Sequence, residues 1–150
     1  MYLLDSSAIA VVLSGARREA VNVLDGKTTL DLARYELGNV VWKQCVFGNQ
    51  LSPEEAAGKA ESLARVLGLL EIRCVDSVEG FRGVMRLAVE LKSTFYDAAY
   101  LYIAKEGQLT LVTEDVELAA KAALIGIKVL PVSKLTTCSS ADKPYRHMGG

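Results

Sequence analysis

The sequence lacks several features that would each assign it to a familiar class of protein. It has one histidine and three cysteines in 150 residues, without any Cys-x-x-Cys spacing, which argues against a zinc site or a disulfide framework. We expect free thiols at Cys45, Cys74 and Cys138. No uncharged apolar run reaches the roughly 18–20 residues that a membrane span needs, and the N-terminus lacks the basic segment of a signal peptide. These absences predict a cytoplasmic protein with no membrane partner.

An excess of basic residues is also missing, since 17 lysines and arginines face 18 acidic residues and the net charge is −1. A protein that holds nucleic acid chiefly through lysine and arginine is usually basic. A polyanionic partner would therefore be bound through local basic patches or through bound cations. The basic residues that are candidate phosphate contacts, each of which is more often a solvated surface charge, are Arg17, Arg18, Arg34, Lys43, Arg82 and Lys92.

The sequence does contain a regular alternation of short β-type runs with helical patterns, which is typical of parallel α/β units. Strands are predicted at residues 2–4, 28–30, 70–74, 109–113 and 127–130. The third of these runs alternates apolar and charged residues, as an edge strand with one hydrated face would. Length and composition predict one α/β domain over residues 1–135, followed by a polar, flexible tail over residues 136–150.

One helix start is marked clearly by Ser52-Pro53-Glu54-Glu55, a capping box with proline at the first helical position. The helix that follows has apolar residues at three- and four-residue steps, and so does a later helix over residues 78–91. The residues predicted to face inward on these two helices are Ala56, Ala60, Leu63, Ala64, Leu67, Phe81, Met85 and Ala88.

Four acids stand where the pattern is apolar or where a strand has just ended. Asp5 follows the first strand, and Glu36 lies at the edge of an apolar helix face. Asp97 interrupts an apolar helix, and Asp115 comes two residues after a strand. Ligands of open parallel sheets bind beyond the carboxyl ends of the strands, where the strand order reverses. Topology alone brings three of the acids to that edge, whereas Asp97 needs a fold-specific crossing. Because an unpaired buried carboxylate is costly, converging acids favour a bound divalent cation.

Each acid also has a simpler interpretation. Asp5 stands where helix N-caps commonly fall, and Glu36 is compatible with a solvated charge at the seam of its helix face. Asp97 is compatible with a buried acid paired with Lys92 or Arg86, because buried charges need partners. These interpretations predict that each acid is solvated, caps a helix or forms its own ion pair, and that the acids do not share one site.

Asp115 is in turn compatible with a cap on the helix that begins at residue 116, and its neighbours Glu114 and Glu117 are alternatives to it in a site. His147 lies in the polar tail, so we do not expect it to take part in catalysis. The aromatic residues that could stack on RNA bases, although packing in the core or in a dimer is favoured for them, are Trp42, Tyr100 and Tyr102.

The chain resembles the PIN-domain ribonucleases in four short motifs, which together span about residues 2–131. These motifs are Asp5-Ser6-Ser7-Ala8, Tyr35-Glu36-Leu37, Tyr96-Asp97-Ala98-Ala99-Tyr100-Leu101 and Thr113-Glu114-Asp115. In size the chain is similar to the VapC toxins of prokaryotic toxin–antitoxin pairs. The resemblance implies a central five-stranded parallel sheet flanked by helices, an α/β/α sandwich, with bound Mg²⁺ or Mn²⁺ and cleavage of RNA. It also implies a small antitoxin protein as partner and a homodimer.

The hypothesis for the site divides the work among the four acids. Asp5 and Asp97 hold the principal metal ion, and Asp115 holds the same ion or a second one. Glu36 orients a water molecule, or acts as a ligand or base. The residues expected to donate hydrogen bonds that aim the carboxylates are Ser7 and Thr113.

Two other functions remain open on the sequence. A receiver domain also gathers carboxylates at strand ends, but it should carry paired acids after its first strand and a lysine after its last. Here Asp5 is followed by serines and Leu130 by Pro131, which disfavours that reading. A catalytically silent PIN-like scaffold that binds RNA or protein would keep the same acids. An antitoxin, if one binds, is expected in an apolar groove near the second and fourth helices.

Overall fold

Five strands form a parallel sheet in the computed structural model, which describes residues 1–15 and 17–135. They are β1 (Tyr2–Leu4), β2 (Thr28–Leu30), β3 (Glu71–Arg73), β4 (Thr110–Val112) and β5 (Val129–Leu130). Their order is β3-β2-β1-β4-β5, and every neighbouring pair is parallel. The α/β prediction is confirmed, and β3 lies at an edge as expected. The expectations for Cys138, His147, the tail and the Arg17 and Arg18 side chains lie outside the described parts of the chain.

Helices cover both faces of this sheet, which confirms the α/β/α sandwich. They are α1 (Ser6–Ser14), α2 (Arg17–Leu24), α3 (Leu32–Val46), α4 (Pro53–Leu67), α5 (Val78–Glu90), α6 (Phe95–Glu106), α7 (Val116–Leu124) and α8 (Val132–Leu135). One apolar core joins the sheet to α5, α6 and α7, and the other joins it to α1–α4 and α8. Leu3 belongs to the first core and Leu4 to the second, because successive side chains of a strand point to opposite faces. The short helix α8 was not predicted.

Polar caps fix where two of the helices begin. The predicted capping box is confirmed, since the Glu55 N–H donates to Ser52 Oγ at 3.2 Å and the Ser52 N–H donates to Glu55 Oε2 at 2.7 Å. At the start of α6 the Asp97 N–H donates to Thr94 Oγ1 at 3.1 Å. That cap places Asp97 in the first turn of α6, where the positive end of the helix dipole favours a carboxylate.

The predicted inward faces of α4 and α5 are wrong in part. On α4, Leu67 is buried as expected, but Ala60 and Ala64 are exposed to solvent. On α5, Ala88 is buried, whereas Phe81 and Met85 are 54% and 52% exposed. The buried residues of α5 are Gly80, Val84, Leu87 and Ala88. The reason is that these helices carry apolar residues around more than one face, and the main neighbouring helix, α3 for α4 and α6 for α5, covers only one of them. The remaining stripe is left on the surface.

The crossing point of the chain lies between the two central strands. From β1 the chain builds outward through β2 to β3, and it then returns to place β4 on the other side of β1. This reversal is the switch point at which open α/β sheets bind ligands. Leu4 of β1 is paired in register with Val112 of β4, so that Asp5 and Thr113 leave the sheet side by side. None of the helices in the described ranges has the length and apolar character needed to cross a membrane.

Candidate acidic active site

The carboxylate of Asp5 is buried at the switch point and is held by three donor groups. Its Oδ1 accepts a hydrogen bond from the Ala8 N–H at 2.8 Å, and its Oδ2 accepts one from Thr113 Oγ1 at 2.5 Å. Ser7 Oγ lies 2.8 and 2.9 Å from the two carboxylate oxygens and donates to them. Ser7 Oγ also accepts the Glu114 N–H at 3.0 Å. Asp5 is therefore the N-cap of α1, and it also ties the ends of β1 and β4 together.

Glu36 reaches the same region from the second turn of α3. Its side chain is half-buried, and its Oε2 accepts a hydrogen bond from the hydroxyl of Tyr100 at 2.8 Å. Tyr100 comes from α6, three residues after Asp97, and is 2% exposed. Residues three apart lie on one face of a helix, so α6 directs both side chains toward the same region. Tyr100 is thus a core residue, as favoured by the sequence, and is not available to stack on RNA.

Asp97 and Asp115 complete the group of four acids, and both are less buried than Asp5. Asp97 is half-buried, and it forms no ion pair with Lys92 or Arg86 among the described residues. Asp115 is exposed and caps α7, since its Oδ1 accepts the N–H groups of Glu117 and Leu118 at 2.8 and 3.0 Å. The cap interpretation of Asp115 is therefore correct, and it leaves Oδ2 available.

The neighbouring acids Glu114 and Glu117 are less well placed to replace Asp115. Glu114 Oε1 accepts the Val132 N–H at 2.7 Å, which commits that carboxylate to the start of α8. Glu117 is exposed in the first turn of α7. Asp115 therefore remains the acid of this segment that adjoins the Asp5 network, and its own N–H donates to Thr113 Oγ1 at 3.0 Å.

The four carboxylates influence one another electrostatically. Burial raises the pKa of Asp5, and the negative charge of Asp115 raises it further, although hydrogen bonds from Thr113, Ala8 and Ser7 oppose the shift. Burial likewise raises the pKa of Glu36, with added repulsion from Asp5 and Asp97 against hydrogen bonds from Tyr100 and Ser6. Each of the four acids is thus close enough to at least one other to repel it.

Within the described part of the chain, ion pairing does not neutralise this group. None of the ion pairs found among residues 1–15 and 17–135 involves Asp5, Glu36, Asp97 or Asp115. Within the same residues, however, no three acids are close enough to form a ready-made cage for a metal ion. The prediction that the four acids share one tight cluster is therefore not met by direct contact, because Asp115 is drawn to its helix cap and Glu36 to Tyr100.

The donor set nevertheless fits a hydrated divalent cation. All of the available ligands are oxygens, which suits Mg²⁺ or Mn²⁺, and Mg²⁺ usually retains several waters while one or two carboxylates contact it. Burial is the main cause of the raised pKa values of Asp5 and Glu36, and repulsion between the acids adds to it, so a nearby positive charge would compensate both effects. A cation held partly through water would supply that compensation without a cage of three carboxylates.

The chain is similar to curated proteins over most of its length. Exonuclease VapC9 of Pyrobaculum aerophilum is 36% identical over 123 residues, which cover 80% of this chain and 84% of the relative. The chain belongs to the VapC family. Ribonuclease VapC3 of the same organism is 33% identical over 124 residues, covering 79% of this chain and 92% of that protein. No protein-family profile matches the chain.

Solved structures share the fold of this chain. The crystal structure of PAE2754 from Pyrobaculum aerophilum has a TM-score of 0.74 and 31% identity, covering 94% of this chain and 96% of that one. A toxin–antitoxin complex from Klebsiella pneumoniae has a TM-score of 0.62 at 20% identity, covering 88% of this chain and 98% of that one, and so shares the fold. The predicted resemblance is confirmed.

The uncompensated charge predicts how stability depends on pH without metal. The pKa values of Asp5 and Glu36 are raised above their ordinary values of 3.8 and 4.5, so the folded state binds these protons more tightly than the unfolded state. The stabilisation is fully present below those values and is lost as the pH rises through the raised pKa values. We expect the free energy of unfolding in chelator, measured by urea denaturation, to fall less steeply across this range in Glu36→Gln. The exposed Glu106→Gln should keep the wild-type slope, and an unchanged slope in Glu36→Gln would contradict the account.

Proposed function

We propose that this chain is a cytoplasmic, divalent-metal-dependent endoribonuclease and the toxin of a toxin–antitoxin pair. The observation that carries the proposal is the uncompensated acidic group at the switch point of a VapC-family fold. Relatives named exonuclease and ribonuclease support phosphodiester cleavage, and the name of VapC3 supports RNA as the substrate. The cofactor we propose is Mg²⁺, with Mn²⁺ as a substitute.

In this proposal the acids have distinct tasks. Asp5, Asp97 and Asp115 hold the cation, and Glu36 completes its surroundings as a ligand or as the group that accepts a proton from water. A bound divalent cation supplies water of lowered pKa and offsets the charge of the phosphate. Ser7 and Thr113 keep the Asp5 carboxylate in one orientation, because each donates to it from a different segment of the chain.

Substrate binding also depends on the cation, since an acidic pocket would otherwise repel the RNA backbone. Exposed basic side chains near the two ends of α3, Arg34 and Lys43, form no ion pair among the described residues and are available to phosphates. Lys92 is exposed in the same way, whereas Arg82 lies 3.6 Å from Glu79 and is partly compensated. We propose that these basic side chains bind RNA phosphates locally, although the net charge of the chain is slightly negative.

The alternative to an endoribonuclease is a catalytically silent scaffold that only binds RNA or protein. A measurement of RNA cleavage distinguishes the two. Asp97→Asn preserves the shape of the side chain and removes its charge, so we expect the rate of RNA cleavage in Mg²⁺ or Mn²⁺ to fall roughly 10²–10³-fold, as when one preorganised charged group is lost. Asp25→Asn is the matched control, because Asp25 is exposed beyond α2 at the opposite edge of the sheet. The measurement is single-turnover cleavage of a panel of structured and single-stranded RNAs, with a chelator control.

Circular RNAs in the same panel distinguish cutting at internal bonds from trimming of ends. An endoribonuclease linearises a circular RNA. An exonuclease, the activity for which VapC9 is named, requires a free end and leaves the circle intact. Equal activity of Asp97→Asn and wild type would refute the assigned site. Absence of metal-dependent cleavage in the whole panel would favour the scaffold.

The proposed antitoxin site is a groove of about 700 Å³ between α1, α2, α3 and α4. Its walls include Leu13, Val21, Val40, Leu63 and Val66, and two of these, Val21 and Val40, are 40% and 48% exposed. An apolar groove of this kind suits the apolar face of a partner helix. The Klebsiella structure is titled a toxin–antitoxin complex, which supports a partner of that class here. The location agrees with the expectation of a groove near the second and fourth helices.

The groove can be tested by co-expressing the chain with a candidate antitoxin that carries an affinity tag and measuring co-purification. Leu63→Glu should abolish co-purification, because it places a charge in the apolar groove. Ala60→Glu lies on the exposed side of the same helix and should bind like wild type. Retention of Leu63→Glu at the wild-type level, with circular dichroism showing both variants folded, would rule out this groove.

A homodimer is proposed to bury the apolar stripe left on α5. Val78, Phe81, Met85 and Val89 are each more than half exposed, and the Phe81 ring lies 5.6 Å from that of Phe95. Contiguous exposed apolar surface of this kind commonly marks an interface. The stripe lies on α5, the helix whose other face packs into the core with α6 and α7. A second copy of the chain could cover the stripe in an isologous interface, in which both copies use the same surface.

The dimer is tested by sedimentation equilibrium. Wild type should give twice the 16.2 kDa mass of one chain, and Met85→Glu should give the mass of one chain because it charges the stripe. Ala120→Glu adds the same charge on the exposed side of α7 and should remain dimeric. A monomeric wild type, or a dimeric Met85→Glu, would show that α5 is not the interface.

A further inference from the structure

The hydroxyl of Tyr100 is a buried polar group that the division of roles among the acids does not use. Tyr100 is 2% exposed and belongs to the apolar core between the sheet and α5, α6 and α7. Its hydroxyl nevertheless donates to Glu36 Oε2 at 2.8 Å across 64 residues of sequence. A buried hydroxyl is costly unless it is hydrogen-bonded, so the contact is one that the fold must maintain.

We propose that Tyr100 is a positioning residue, whose buried hydroxyl fixes the Glu36 carboxylate so that it faces the other acids and takes part in holding the cation. The role in RNA cleavage rests on the function proposed above. The link to Glu36 rests on the hydrogen bond and on burial, and it can be tested through metal binding alone.

Three features of the structure support a directing role over simple packing. A phenylalanine would fill the same volume in the core, so the hydroxyl has no packing function of its own. Glu36 lies near the start of α3 and has no basic partner among the described residues, and of its two hydrogen-bond donors, Tyr100 and Ser6, Tyr100 has the larger effect on its pKa and is the one that links it to α6. Tyr100 and Asp97 share one face of α6, and the rigid helix therefore sets the position of Glu36 relative to Asp97.

The protonation state of Tyr100 is compatible with this role. Burial raises the pKa of the phenol, and the adjacent carboxylates of Glu36 and Asp5 raise it further. The hydroxyl therefore stays protonated. An ionised Glu36 carboxylate can only accept a hydrogen bond, so the Tyr100 hydroxyl is the donor. The hydrogen bond from Tyr100 opposes the rise in the pKa of Glu36 that burial causes.

Tyr102 provides a matched control on the same helix. It is half-buried, and its ring packs against Gly83 of α5, where an added Cβ would lie 2.2 Å from the ring. Tyr102→Phe therefore removes a phenolic hydroxyl from α6 at a site that faces α5. Tyr100→Phe removes one that faces Glu36.

The test measures Mn²⁺ affinity by electron paramagnetic resonance of the free ion, for wild type, Tyr100→Phe, Tyr102→Phe, Glu36→Gln and the double variant Glu36→Gln/Tyr100→Phe. Loss of an outer hydrogen-bond partner of a metal ligand typically weakens metal binding about 10–100-fold, and we expect a loss of that size for Tyr100→Phe. Tyr102→Phe should bind like wild type. The double variant should bind like Glu36→Gln, because Tyr100 acts through Glu36.

Three results would overturn the inference. The first is a wild-type Mn²⁺ affinity in Tyr100→Phe, and the second is that Tyr100→Phe lowers the Mn²⁺ affinity of Glu36→Gln as much as it lowers that of wild type. The third is that wild type has no measurable Mn²⁺ affinity. Circular dichroism and urea denaturation verify that each variant is folded. RNA cleavage by the same proteins is measured separately. A chain that shows the Mn²⁺ coupling but cuts no RNA would refute the proposed function and leave the positioning role of Tyr100 in place.

Discussion

The site depends on one buried carboxylate, that of Asp5, which serves the fold and the chemistry together. It accepts hydrogen bonds from Ser7, Ala8 and Thr113, and in doing so it starts α1 and joins the ends of the two central strands. These donors stabilise the ionised form, yet burial is the larger effect and raises the pKa of Asp5. The fold therefore orients a negative charge that it does not neutralise. Such a charge is expected at functional sites, where its cost is offset when a ligand binds.

A cation is better suited than an arginine or lysine to provide that offset. A basic side chain would stabilise the carboxylates permanently, and it would occupy the crevice that the proposed RNA substrate would have to enter. Mg²⁺ prefers oxygen ligands and retains several waters, so it would suit acids that repel one another but, within the described residues, form no cage of three. The helix cap of Asp115 and the hydrogen bond of Glu36 explain the looser arrangement. The carboxylates of Asp5, Glu36 and Asp115 are each held by a local hydrogen-bond donor, and these separate donors keep them apart.

Much of the architecture was predictable from the sequence, because strand and helix periodicities, the cap at Ser52 and the acids at strand ends are local signals. The covered faces of α4 and α5 were not, since an apolar stripe does not reveal whether the core or another protein covers it. Phe81 and Met85 were therefore assigned wrongly to the interior. The contact between Tyr100 and Glu36 was also missed, because a hydrogen bond across 64 residues depends on the tertiary arrangement of α3 and α6, which local sequence patterns do not reveal. The spacing of Tyr100 three residues after Asp97 was the one signal that placed it on the same helix face.

The most direct test of the account is the position of a bound metal ion. Crystals of the protein soaked in Mn²⁺ should show an anomalous diffraction peak at the carboxyl ends of β1 and β4, coordinated by Asp5 or Asp97 directly or through water, and Asp97→Asn crystals should lose it. A peak elsewhere, or no peak at this edge while Asp5 and Glu36 remain in the positions described, would contradict the claim that a divalent cation compensates the four acids.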